Sequence, residues 1–260
     1  MQQDFSDIAL VTPAAPITAP THGGRAKCLQ RLVRLDLPVP RTVALSFDMV
    51  HKIAANEVSS IIEILNNFEA DDLLCVRPSS ESSDWGGPGA VLNIGMNDHR
   101  FAQLSKLLGV KAAAKIYLRF VQGYSVHVAR LDPEMFDHIE GQGEEALTEA
   151  LRAYEDETEE PFPQEKSTQL GEVLRSMARA WEGTTARLLR QAKGAPADAG
   201  LGLIVQKMAF GIGKGECGSG VLQLVNSDTG MPQITGRYRR QSQWRDALVQ
   251  DNGTFYLTRD

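Results

Sequence analysis

Cysteine is scarce: Cys28, Cys75 and Cys217 are the only three in 260 residues. An odd number at wide spacing fits a reducing, cytoplasmic setting better than a disulfide framework. Long apolar runs are missing too, and no stretch approaches the 18 residues of a membrane span. Asp4 and Asp7 stand where a secretion signal would carry Lys or Arg, so no leader is expected. Positive charge is not in excess: 27 Lys and Arg face 33 Asp and Glu, a formal net charge of -6. That balance argues against a general nucleic-acid binder and leaves room for a local basic pocket. What is there in quantity, 42% hydrophobic and 23% charged residues, excludes wholesale disorder, collagen and coiled coil. The length suits one large domain or two closely packed lobes.

The common catalytic motifs are also missing. Five histidines contain no H-E-x-x-H, no C-x-x-C is present, and no Ser sits in G-x-S-x-G, so no metal ligands are expected. His127 and His138 read as surface or satisfied histidines, and Cys75 as a small core residue. Gly213-Lys-Gly215-Glu-Cys-Gly218 matches the dinucleotide fingerprint letter for letter. Strand-like segments on both sides predict a hairpin turn instead of a helix opening onto a pyrophosphate.

Along the chain, residues 1–20 read as a flexible tail punctuated by Pro13, Pro16 and Pro20. Gly23-Gly24 precedes an amphipathic helix, 42–45 is a short strand, and Ser46 is the N-cap of the next helix. Another helix carries Val58, Ile61, Ile62 and Leu65, and 73–76 is a strand. A Ser/Gly/Pro-rich loop spans 78–89, and 91–94 is extended. Helices follow over 101–108, 110–128 and 144–154, with a start at Asp132-Pro133 and a solvated acidic run at 155–160. One long helix is predicted over 167–193, with Leu170, Val173, Leu174, Met177, Trp181, Leu188 and Leu189 on its inner face. Strands are predicted at 201–210, 220–225, 233–238 and 254–257.

The remaining signal is basic residues beside glycine and serine: Arg25 and Lys27 after Gly23-Gly24, and Arg77 entering the 78–89 loop. A planar, permanently charged guanidinium beside backbone donors suits a polyphosphate. These residues taken alone fit a surface arginine and a flexible loop somewhat better.

Five collinear segments resemble the nucleotide-binding domain of the pyruvate phosphate dikinase family. GGRAKCLQRLVRLDLPVPRTVALS (23–46) resembles the family's glycine-lysine loop, helix and strand. LLCVRPSSESSDWGGPGAVLNIGMND (73–98) is similar to its V-R-S loop and L-N-L-G-L-N-D signature. FPQEKSTQLGEVLRSMARAW (162–181), LIVQKMAFG (203–211) and GECGSGVLQLVNSDTG (215–230) resemble its F-P helix, adenine strand and S-G-T-G hairpin. The resemblance implies an α+β, ATP-grasp-like fold of two lobes: 21–198 with a helical insertion at about 100–198, and a β-rich antiparallel lobe at 199–260. It also implies ATP as ligand, with Arg25, Arg77, Ser79, Gln206, Met208 and Gln243 as binding residues. Lys27 and Arg237 are further anion-binding candidates.

Departures from the pattern carry equal weight. Arg25 replaces the family's loop lysine, and Val225 replaces a phosphate-binding arginine. Arg237 stands where the family's Glu helps hold Mg²⁺, and a cation there repels the ion, so Mg²⁺ is doubtful. Gln243 and Asp246 keep the pattern, while Arg245 replaces the Glu between them. Two expectations follow. One is a degenerate, regulatory or scaffolding module that binds a nucleotide or another phosphorylated small molecule, with Arg237, Arg239, Arg240 and Arg245 replacing the metal's charge. The other is an active phosphotransferase acting on a separate phosphohistidine-domain partner. Neither nucleic acid nor a membrane is an expected partner.

Overall fold

The computed structural model describes residues 6–57, 61–137, 139, 143–243 and 253–259. The readings placed on Val58, His138, Arg245 and Asp246 lie outside them. The fold is mixed α/β with two antiparallel sheets, in two compact units: residues 1–102 with 114–208, and 103–113 with 209–260.

The first unit is built on a five-stranded sheet ordered β1 (Ile8–Leu10), β2 (Thr42–Leu45), β5 (Gly202–Lys207), β3 (Leu74–Ser79), β4 (Val91–Ile94). Directly paired residues share a face, so the register Ala9↔Ala44↔Ile204↔Arg77 runs one row across the sheet. Helix α1 (Ala19–Arg34) covers that face, where Ala26 and Ile17 pack with Ala9, Val11, Ala44 and Ile204. The opposite face, with Val43, Leu45, Val76, Leu203 and Val205 fully buried, lies against α2 (Phe47–Ala54) and α8 (Lys166–Glu182). Ser46 caps α2 as expected, accepting from Met49 N at 3.0 Å, and its hydroxyl donates to Asp7 at 2.8 Å.

Two expectations fail on this sheet. The span read as a tail contributes β1, and Ala9, Val11 and Ile17 are buried. Its proline spacing hid a three-residue edge strand that needs only β2 for a partner. The strand at 202–207, expected to open the second lobe, instead pairs with both β2 and β3 in the first sheet. The division therefore follows Met208 and not residue 198.

The helical part contains α3 (Ile61–Leu65), α4 (Asp98–Leu108), α5 (Val110–His127), α6 (Glu134–Asp137), α7 (Glu144–Thr158), α8 and α9 (Thr184–Ala192). Phe162 anchors it. Its ring centroid lies 5.1 Å from Tyr154, 5.2 Å from Tyr124, 5.4 Å from Phe120 and 6.0 Å from Tyr117, with edge-on geometry at each.

The single helix predicted for 167–193 breaks at Gly183, whose ψ of 139° is not helical. Arg190 then stacks 3.7 Å over the Trp181 ring and donates to Trp181 O at 2.6 Å, capping the end of α8. Folding back this way leaves Leu188 and Leu189 exposed, contrary to their expected place on the inner face.

In the second unit, β6 (Gly218–Val225), β7 (Pro232–Arg240) and β8 (Thr254–Arg259) form a three-stranded antiparallel sheet in chain order. The β6–β7 turn is held by Asn226 Oδ1, which accepts from Asp228 N and Thr229 N at 2.9 and 3.0 Å. Since β5 and β6 lie in different sheets, 213–218 is a connection and not the predicted hairpin turn. Gly213 N donates to Gln241 Oε1 at 3.0 Å and the strand β6 follows directly, so the helix N-terminus that a pyrophosphate cradle needs is not at this segment.

Candidate functional site

The site begins with a kink in α1. Gly23, at φ 85° and ψ 165°, interrupts the helix, which restarts at Gly24 against the end of β3. That backbone region is open only to glycine. The contact is close: a Cβ on Gly23 would stand 1.7 Å from Ser79 O, and one on Gly24 would stand 2.8 Å from Glu81 O. Gly24 N donates to Ser80 O at 2.8 Å. Ser79 Oγ clamps the junction, donating to His22 O at 2.7 Å and accepting from Ala26 N at 3.0 Å.

A cleft of about 430 Å³ opens beside this junction, lined by Gly24, Arg25, Cys28, Pro78, Ser79, Ser80, Glu81, Ser83 and Gly86. Arg25, on the first turn after the kink, donates to Pro78 O. Arg77 comes off β3 beside it. Burial first, and then the Arg77 charge, push the Arg25 guanidinium below its ordinary range. Among the described residues neither arginine forms an ion pair, and Glu81, though on the lining, is exposed and beyond pairing distance. Two neighbouring guanidinium groups without an ion-paired acid are an arrangement suited to an anion. Cys75 shares their face of the sheet. Burial pushes its thiol up to about 11, so it remains an unreactive core group, as expected.

His22 supports the junction from within and was not singled out from sequence. It is buried; Nε2 faces Ser6 O at 3.2 Å and Nδ1 faces Thr21 Oγ1 at 2.8 Å. A carbonyl only accepts, so Nε2 carries the proton and Nδ1 accepts from Thr21. Burial pushes the His22 imidazole below its ordinary value, and His127 shifts the same way. A histidine depressed on folding stabilises the native state fully above its unfolded pKa of about 6.5. That stability falls as pH drops from there toward the folded value, because the unfolded chain binds the proton first. Thermal midpoints are expected to fall between pH 7 and 5. His22→Gln should flatten that slope by at most one proton, about 1.4 kcal/mol per pH unit; an unchanged slope would remove His22 from the account.

The other expected site residues are placed differently. Lys27 Nζ donates to Ile17 O at 3.1 Å and Gln30 Oε1 at 2.9 Å, and it does not line the cleft. Residues two apart on a helix cannot face one site, so Arg25 and Lys27 diverge. Gln206, paired with Cys75 in register, donates to Thr42 Oγ1 at 2.8 Å, and Met208 N donates to Leu73 O at 2.8 Å. Gln243 is buried in the second unit. Arg237 lies on β7 with its guanidinium 5.1 Å from the Tyr256 ring. The expected basic cluster splits by strand alternation: Arg237 and Arg239 share one face of β7, and Arg240 takes the other, 3.4 Å from Glu216. Val225 is exposed at the end of β6.

A mixed α/β chain with a glycine-lined cleft that carries Arg25, and Arg77 close by, defines a class of candidate anion sites. Relatives sharpen that class. The chain is 30% identical over 218 residues to pyruvate, phosphate dikinase of Clostridium symbiosum, covering 74% of this chain and 25% of that protein. It is 30% identical over 195 residues to pyruvate, phosphate dikinase of Rhizobium meliloti, covering 68% and 22%. The pyruvate, phosphate dikinase of Entamoeba histolytica is 24% identical over 265 residues, covering 87% and 30%. The chain belongs among the relatives of pyruvate, phosphate dikinase, and spans about a quarter of their length. No family model matches it. No helix among the described residues is long and apolar enough to cross a membrane.

Proposed function

We propose that this chain is a nucleotide-binding unit of the pyruvate phosphate dikinase type, in which Arg25 and Arg77 receive the phosphate chain of ATP. The observation that carries the reading is the pair of arginines held together without an acid beside the Gly23–Ser79 junction. The resemblance adds the adenine strand at Gln206–Met208, in the same sheet as Arg77. In sites of this kind Mg²⁺ rests on phosphate oxygens and one or two carboxylates. Arg237 stands where the resemblance places such a carboxylate. A guanidinium at that sequence position cannot ligate a metal, which favours binding without turnover and a regulatory or scaffolding role.

Calorimetry with ATP, with and without Mg²⁺, followed by a phosphotransfer assay on a histidine-bearing acceptor, tests this. The expected result is saturable binding that does not depend on Mg²⁺ and gives no product. Metal-dependent turnover would replace it with the active phosphotransferase reading, and absence of binding would sink both.

A further inference from the structure

The helical part of the first unit holds a second cleft, of about 410 Å³, which shares no lining residue with the first. Its apolar wall is Tyr124 and Val128 with Tyr154 of α7, and it gathers Arg130, Arg175 and Arg179. Arg175 and Arg179 are one turn apart on α8, a spacing at which like charges repel. Arg130 is brought in by the segment that follows α5. Its Nη2 donates to Ser176 Oγ at 3.1 Å, and Arg179 Nη2 donates to Asn56 Oδ1 at 2.8 Å. Arg175 makes no hydrogen bond or ion pair among the described residues. Each guanidinium carries five N–H donors, so most of this donor capacity is not committed within the protein.

Glu172 is the acid on the lining, three residues before Arg175. It is already engaged, accepting from the Tyr124 hydroxyl. Burial pushes its carboxyl above the ordinary range against the opposing pull of Arg175, and even ionised it is one carboxylate against three guanidinium groups. Glu160, felt by the Tyr154 phenol, does not line the cleft. Three cations around a concave, tyrosine-walled space of small-molecule size thus outnumber the one acid on its lining.

We propose that this cleft is a second anion site, which takes a compact small molecule bearing two or more carboxylate or phosphate groups. Arg175 supplies a free planar fork, Arg130 and Arg179 add charge from either side, and the tyrosine wall excludes water from one flank. The site is independent of the nucleotide reading because the two linings have no residue in common.

The test uses the full chain carrying Arg77→Ala, so that the first cleft contributes least. Calorimetry with inorganic pyrophosphate and, separately, with citrate distinguishes phosphate from carboxylate as the source of charge. At least one probe is expected to bind, and adding Arg175→Glu should weaken it more than tenfold. Arg175→Gln, which cannot reverse the local field, should weaken it several-fold, and Glu172→Gln should leave affinity equal or higher. Thermal midpoints of each variant verify folding. Equal affinity with and without Arg175→Glu, or binding of neither probe, would overturn the proposal.

Discussion

Arg77→Ala should lower nucleotide affinity by about one to two orders of magnitude and leave the thermal midpoint of the ligand-free chain unchanged or slightly raised. The affinity loss follows from removing hydrogen bonds to a charged group, each worth about 1.5–3 kcal/mol. The unchanged midpoint follows from what Arg77 lacks in the folded chain. It has no ion pair among the described residues, and its charge acts against Arg25. Taking it away removes a repulsion and no bond. Arg25→Ala is not equivalent, because Arg25 also donates to Pro78 O and that variant should lose both affinity and stability. Calorimetry with ATP and a thermal melt on the same samples separate the two effects. Affinity within twofold of the parent would move the phosphate chain elsewhere, and a clear drop in midpoint would make Arg77 a structural arginine.

Different parts of this architecture left signals of very different strength in the sequence. Local periodicity was reliable wherever one element decided the outcome. The stripe Leu170, Val173, Leu174, Met177 and Trp181 is buried as its spacing requires, and Ser46 caps its helix. The stripe failed past Gly183, because an arginine nine residues beyond the last buried member stacks back on Trp181. Strand pairing left no local trace. Gly202–Lys207 reads as a strand in any context, and only the sheet shows that it sits between β2 and β3. The first residues were misread for a related reason: Ile8–Leu10 is too short to show alternation and becomes a strand through its partner. For the cleft, motif resemblance brought Arg25 and Arg77 together where spacing alone could not, since they are 52 positions apart. Elementary geometry could have corrected two candidates in advance. Helical phase separates Lys27 from Arg25, and strand alternation separates Arg240 from Arg237. His22 and the clamp at Ser79 left no readable signal, because burial of a polar group is a property of the assembled junction.

That junction supports the largest stability effect. Gly23→Ala should destabilise the chain by about 3–5 kcal/mol, the sum of forbidden backbone geometry and overpacking. Two separate costs are involved. At φ 85° and ψ 165° a side chain is strained whatever surrounds it, and the added Cβ would stand 1.7 Å from Ser79 O, inside any tolerable contact. Gly194 is the matched control, with the same φ of 85° and nothing within 4 Å of its Cβ position. Gly194→Ala should cost only about 1–2 kcal/mol, from backbone strain alone. For a chain of this size each kcal/mol corresponds to about 2–4 °C, so the two variants should melt several degrees apart. To accommodate the methyl group, β3 must part from α1, which breaks the Gly24–Ser80 bond and the Ser79 clamp and spreads Arg25 from Arg77. ATP affinity should therefore fall with Gly23→Ala and hold with Gly194→Ala, even at temperatures where both chains are folded. Equal melting of the two variants would show that the junction relaxes freely. In that case the glycine is there for its backbone angles, and the close approach of helix and strand is incidental to the cleft.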